Sequence, residues 1–243
     1  MININELNQS MLLNGTDKTK IIYTFFYALD YIYYNSENEM NQPDIFLTKI
    51  YLDKNFNAII SNRINFFDTF QTGHIESPLY LPLEFIECIE RKAELTDIYS
   101  AGVCIYLLLS SDNSIEKKNF FQLNEQLHLT GFPNLLDEFG HLSFIQKLCC
   151  SNINENKRKN SFLMLHLLNF FHCRVEGTNE EEINDYIANL GKQRNFIRNK
   201  SYYKAIENIE IKSKNKMDFE YSLQEGLLLL FGEGVEKNIE KAL

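Results

Sequence analysis
ELTDIYSAGVCIYLLLS, residues 94 to 110, decides the fold: a charged preface runs into a stretch that is apolar on almost every side. A helix patterned this way is buried all round, so it must lie at the centre of a core built by other elements. The charge-free run from Ile98 to Ser111 is too short to span a bilayer. Asp97 stands at its mouth, where a carboxylate can cap free backbone N–H groups.

Working outward, DKTKIIYTFFYALDYIYY, residues 17 to 34, sets Ile21, Ile22, Phe25, Leu29 and Ile32 near helical spacing. It predicts a helix packed on the core, with Thr16 or Asp17 as its N-cap. Tyr23, Tyr27, Tyr31 and Tyr34 recur every three or four residues, which makes one helix stripe rather than a base-stacking platform. IYLDKNFNAII, residues 50 to 60, has two short apolar runs around Asp53, Lys54 and Asn55 and predicts a small hairpin. Residues 62 to 83 are irregular, with Gly73, Pro78 and Pro82, and predict a long surface loop. Helix resumes near Phe85, and further helical patterns cover 96 to 110, 117 to 128, 141 to 150 and 160 to 172. The expected fold class is therefore mainly α with one β-hairpin.

Of the 243 residues, 44% are hydrophobic, enough for a substantial core. The net charge of −9 and the lack of a basic stripe argue against nucleic acid as a partner. The N-terminal MININELNQSMLLNG has no basic segment followed by an apolar one, so the expected compartment is the cytoplasm, away from membranes. Cys88, Cys104, Cys149, Cys150 and Cys173 form no CxxC pair and are read as reduced, buried thiols. Neither His74 nor His141 has a Cys or Asp at metal-ligand spacing. Composition shifts at the acidic run Glu180 to Glu182, a solvated helix start, and a domain boundary is expected near 175.

Three motifs in order carry a resemblance. SPLYLPLEF (77–85), TDIYSAGV (96–103) and NINENKRKNSF (152–162) resemble, in that sequence, the end of the activation segment, the start of the central hydrophobic helix and the arginine-bearing stretch of the C-terminal lobe of eukaryotic protein kinases. The resemblance covers roughly residues 5 to 172 and implies a kinase-like C-lobe over residues 1–175, followed by a helical linker, 176–215. It places Glu84 at the glutamate of the APE motif, Arg158 at the arginine expected to pair with it, and Asp97 and Gly102 in architectural positions. Removing one partner of such a buried pair costs about 3 to 5 kcal/mol. For Asp97 the resemblance implies acceptance from catalytic-loop N–H groups, beside the plain N-cap reading.

An active kinase of this family carries HRDxxxxN and DFG. The aligned stretch here, QPDIFLTK (42–49), puts Asp44 at the catalytic aspartate, Gln42 and Pro43 at the His and Arg, and Lys49 at the metal-binding Asn. Asn62, Arg63 and Ile64 fall at DFG. A charged lysine offers no lone pair to a metal, and a neutral Asn is a weaker donor than a carboxylate, so metal-dependent phosphoryl transfer is expected to fail. Upstream of Asp17 there is no GxGxxG and no VAIK-like stretch. The chain is expected to be either a fragment of a longer product or a lobe that persists alone. No cofactor is expected, ATP and magnesium being implied only for an active full-length kinase.

LQEGLLLLFGEGVEKNIEKAL (223–243) is similar to a Sel-one-like repeat, related to tetratricopeptide repeats, through Gly226, Gly232, Gly234, Val235, Lys241 and Ala242. Such repeats stack in arrays, so residues 216–243 are expected to be a partial repeat, or else a single amphipathic hairpin docked on the lobe. The expected function is a catalytically inactive kinase-like domain that serves as a signalling scaffold or interaction module with protein partners. The alternatives are a fragment of a divergent protein kinase and a helical-repeat adaptor.

Overall fold
The computed structural model describes residues 2–3, 13–35, 50–52, 58–60, 78–86, 93–110, 120–151 and 158–192. Two compact units divide the chain, Met1–Asn184 and Asp185–Leu243. The described part is mainly helical. In the first unit the elements run β1 (Ile2–Asn3), α1 (Gly15–Asn35), β2 (Ile50–Leu52), β3 (Ala58–Ile60), a 3-10 turn (Pro78–Tyr80), α2 (Leu83–Ile86), α3 (Ala93–Leu109), α4 (Phe120–Thr130), a 3-10 turn (Asp137–Phe139), α5 (His141–Cys149) and α6 (Ser161–Phe170). Residues 180–192 are also helical, here α7. In the second unit, residues 185–192 are described; the expected partial repeat at 216–243 lies outside the described residues.

Helix α3 spans nearly all of the apolar stretch 94–110. Ile98, Val103, Cys104, Ile105 and Leu108 are all buried, as are Tyr99 and Tyr106. Each fully buried aliphatic side chain contributes about 1.5 to 3 kcal/mol, so α3 alone supplies a large share of the driving force. Helix α3 packs on α1 and α5, and α1 also packs on α6, so the core is a cluster of helices around one apolar axis. Helix α1 contributes Ile21, Ile22, Phe25, Phe26 and Leu29, while its tyrosine stripe runs from buried Tyr23 to Tyr31, which is half exposed.

The cap of α1 differs from expectation. Asn14 takes the N-cap position: its Oδ1 accepts from the Asp17 amide at 2.9 Å, and the Asp17 carboxylate accepts from the Asn14 amide at 3.3 Å. This reciprocal arrangement satisfies two free donors and starts the helix two residues before Asp17. Thr16 serves another purpose. Its hydroxyl accepts from the Asn179 amide at 2.8 Å, and Thr19 accepts from the Val175 amide at 3.0 Å and bonds the Thr178 hydroxyl at 2.9 Å.

These bonds tie residues 175–179 to the start of α1, and residues 175–184 belong to the same compact unit as that helix. The acidic run is not simply solvated: Glu182 pairs with Lys20, and Asn179 caps α7 by accepting from the Glu182 amide at 3.2 Å. Chain direction into this clasp is set at the end of α6. The Cys173 amide donates to Leu168 O at 3.0 Å and the His172 amide to Asn169 O at 3.2 Å, with His172 left-handed at φ 47°. That is the Schellman arrangement, with a histidine where glycine is usual.

Strands β1, β2 and β3 form an antiparallel sheet in that order, Ile2 opposite Leu52 and Ile50 opposite Ile60. The turn at 53–57 lies outside the described residues, as do residues 61–77 of the expected loop. The end of that loop is core rather than surface, since Leu79, Tyr80 and Leu81 are buried and the Ser100 hydroxyl donates to Tyr80 O at 2.9 Å.

One glycine fixes the spacing of α3 against α5. A Cβ on Gly102 would stand 2.5 Å from Cys149 Cβ and 2.7 Å from Cys150 Sγ, too close to tolerate without movement. In an exposed helix, Gly to Ala stabilises by about 1 kcal/mol. Here overpacking wins: Gly102→Ala is expected to lower stability by about 1 to 3 kcal/mol in urea denaturation, and an unchanged or raised midpoint would contradict the close approach.

Candidate functional site
The residues carrying the strongest motifs meet at the N-terminal end of α3. Glu84 sits on α2 and Arg158 just before α6, and each side chain is only 2% exposed. Their pairing is bidentate, Arg158 Nη1 donating to Glu84 Oε1 and Nη2 to Oε2 at 3.0 Å. Two further donors are also used: Nη1 reaches Leu95 O at 3.2 Å and Nε donates to Ser151 O. The Tyr99 ring lies over the guanidinium, 5.0 Å from centroid to Cζ. A planar fork with five donors suits this enclosure, whereas a lysine would leave several acceptors unfilled.

Glu94, in the first turn of α3, accepts from both the amide and the hydroxyl of Ser161, the amide at 2.8 Å. Asn160 caps α6 by accepting from the Leu163 amide at 2.9 Å. Four segments, α2, α3, residue 151 and the 158–161 turn, are thus bound through two acids, one arginine and the Asn160 cap. Gln146, fully buried on α5, extends the polar work by donating to Pro133 O at 3.2 Å and accepting from the Leu135 amide at 3.4 Å. Sequence reasoning missed Glu94 and Gln146. The only signal for either was a polar residue on a face otherwise apolar.

Asp97 is not a helix cap. Helix α3 begins at Ala93, so Asp97 is already in its second turn, where a side chain cannot reach the free N–H groups of the start. It is buried and accepts a hydrogen bond from the Tyr33 hydroxyl on α1. Gly102 lies one turn further along α3, at the close approach to α5 described above. Asp44, Lys49 and Asn62, the positions aligned with the catalytic and metal-binding residues, lie outside the described residues, as do Gln42, Pro43, Arg63, Ile64, His74 and Cys88.

Chemically, the assembled cluster is a clamp. The guanidinium donors and both carboxylate oxygens of Glu84 face one another inside the core, which leaves no open position for a reacting atom. Among the described residues no group of three or more His, Cys, Asp or Glu is placed to hold a metal ion, and no helix among them is long and apolar enough to cross a membrane. His141 is exposed and stacks on Phe171, ring centroids 4.7 Å apart. No protein-family model matches this chain, and comparison with curated proteins finds no match.

The four described cysteines are free thiols. Cys104, Cys149 and Cys173 are buried; Cys150 is half-buried, its thiol lying between Gln146 Nε2 at 3.4 Å and Tyr99 O at 3.9 Å. Burial pushes the Cys173 thiol up to about 12, against the opposing Arg174, and the Cys150 thiol up to about 12, against Arg158. Cys149 is raised well above its usual range for the same reason. Reactive cysteines are exposed and hold their thiolates at low pKa, so these are packing residues.

A thiol whose folded pKa is raised contributes stability that is intact below the pKa it has when unfolded and is lost as pH rises toward the folded value. These thiols therefore leave stability unaffected below about pH 9 and reduce it toward pH 12, by up to about 1.4 kcal/mol per pH unit for each thiol. Urea midpoints measured from pH 7 to 10.5 are expected to fall above pH 9. Rapid alkylation of Cys173 in the folded chain at pH 8 would contradict the assignment.

Proposed function
We propose that this chain is a kinase-like C-lobe without phosphotransfer chemistry, acting as a signalling scaffold or interaction module for other proteins. The observation that carries the reading is the Glu84–Arg158 pair. It joins SPLYLPLEF to NINENKRKNSF, two of the three stretches on which the resemblance rests, and it does so beside TDIYSAGV. What was kept in the sequence is architecture. What was changed is chemistry: Lys49 and Asn62 stand where the family holds magnesium, and Gln42 and Pro43 stand where it carries His and Arg.

A lysine at a metal-ligand position places a cation where two divalent ions would bind, so it opposes metal binding rather than merely failing to assist it. A domain so altered can still hold a rigid surface for partners, because the buried pair and the apolar helix depend on neither metal nor nucleotide. Asp44 at the catalytic aspartate position is the one retained chemical group, and it makes the divergent-kinase alternative testable.

A phosphotransfer assay with radiolabelled ATP and magnesium, run on the longest gene product that contains this sequence, is expected to show no incorporation above that of an Asp44→Ala variant. Incorporation that the Asp44→Ala change abolishes would overturn the reading and favour the enzyme.

A further inference from the structure
An open cleft of about 640 Å³ lies at the start of α5, between the 138–142 segment and the 172–176 turn that follows α6. Phe139, Leu142 and Val175 give it apolar walls, and Glu138 and Glu176, one from each segment, also line it. Both glutamates are exposed, and neither makes a hydrogen bond or ion pair among the described residues. The arginine in the lining is committed elsewhere. Arg174 Nη1 donates to the Tyr23 hydroxyl at 2.6 Å and to Cys173 O at 2.9 Å, Nη2 donates to Asn184 Oδ1 at 3.1 Å, and Nε lies 3.5 Å from Glu180 Oε2.

An aromatic ledge continues from the cleft. His141, in its wall, stacks on Phe171, and Phe171 meets Phe144 and Phe170 edge-on at 5.8 and 5.2 Å. Phe144 is 44% exposed and Phe170 66% exposed. Exposed aromatic rings beside a cleft with polar rims are the composition of a protein-binding surface.

We infer that this cleft and its ledge dock a basic peptide segment of a partner protein, with arginine or lysine heads between Glu138 and Glu176 and apolar neighbours on the Phe144–Phe170 ledge. Charge complementarity selects this occupant. The cleft offers two carboxylates that have no partner among the described residues, its arginine is hydrogen-bonded internally and paired with Glu180, and Glu181 stands exposed just beyond the turn. The net charge of −9 steers cations toward the chain and repels a second copy of it. Aromatic faces also attract a guanidinium, and the stems of arginine and lysine cover apolar surface while the head stays in water. The inference goes beyond the scaffold reading and does not rest on it, since the cleft is built from other residues than the Glu84–Arg158 clamp.

Fluorescence anisotropy of a short labelled peptide alternating arginine and leucine, titrated with the whole chain, tests it. Saturable binding is expected, weakened about ten-fold by Glu138→Lys or Glu176→Lys, each a reversal at an exposed position, and left within about two-fold by Glu125→Lys on the exposed face of α4. Thermal melts of the three variants confirm that each is folded. The inference is overturned if the peptide does not saturate, or if Glu125→Lys weakens it as much as Glu138→Lys does, which leaves only long-range charge. Equal binding of a peptide with serine in place of leucine, or self-association abolished by the same reversals, would overturn it as well.

Discussion
Taking a guanidinium and a carboxylate out of water costs several kcal/mol for each ion, and only near-ideal geometry with every remaining donor satisfied repays that cost. Arg158 and Glu84 are both almost fully enclosed, so the surrounding structure has to meet that condition. Backbone goes most of the way: the carbonyls of Leu95 and Ser151 take two of the donors that Glu84 does not. The start of α3, the end of the 141–151 segment and the entry to α6 are therefore fixed relative to one another by a single side chain. A buried pair of this kind is weak evidence for net stability, because an apolar replacement could match it. It is strong evidence for register, since it tolerates only one arrangement of four segments.

The rest of the first unit is consistent with that constraint. Helix α3 supplies the apolar axis, but its partners approach at distances set by small or polar residues: Gly102 admits α5, Ser100 holds the 78–80 turn, and Asp97 takes the Tyr33 hydroxyl from α1. On the far side α1 is clasped to residues 175–182 by Thr16, Thr19 and Lys20, three polar side chains buried on one end of the helix. The hydrophobic effect gathers these helices without direction. The polar contacts decide which residue faces which.

That division explains what the sequence disclosed. Apolar periodicity placed α3, α5 and α6 to within a few residues, because burial follows a local 3.6-residue repeat. It misassigned the cap of α1 to Thr16 or Asp17 rather than Asn14, because Gly15, where a Cβ would stand 2.1 Å from Glu176 O, carries no apolar side chain to mark the helix start. It read Glu182 as solvated because its partner Lys20 lies 162 residues away, a separation at which one sequence carries no pairing signal. Asp97 was read as a cap for the same reason, its partner Tyr33 being on another helix. Of the clamp, Glu84 and Arg158 were legible only through the kinase-like motifs; Glu94 and Gln146 were not legible, because a single polar residue in an apolar run does not announce what it will bond.

If register in the first unit depends on the clamp, its two charged members must be energetically coupled, not merely adjacent. A double-mutant cycle on Glu84→Gln and Arg158→Met, read by urea denaturation, measures that coupling directly. Each single change leaves a buried group without its partner and is expected to cost about 3 to 5 kcal/mol, whereas the double change costs less than the sum by about 2 kcal/mol or more. Additive losses, with coupling near zero, would contradict the account.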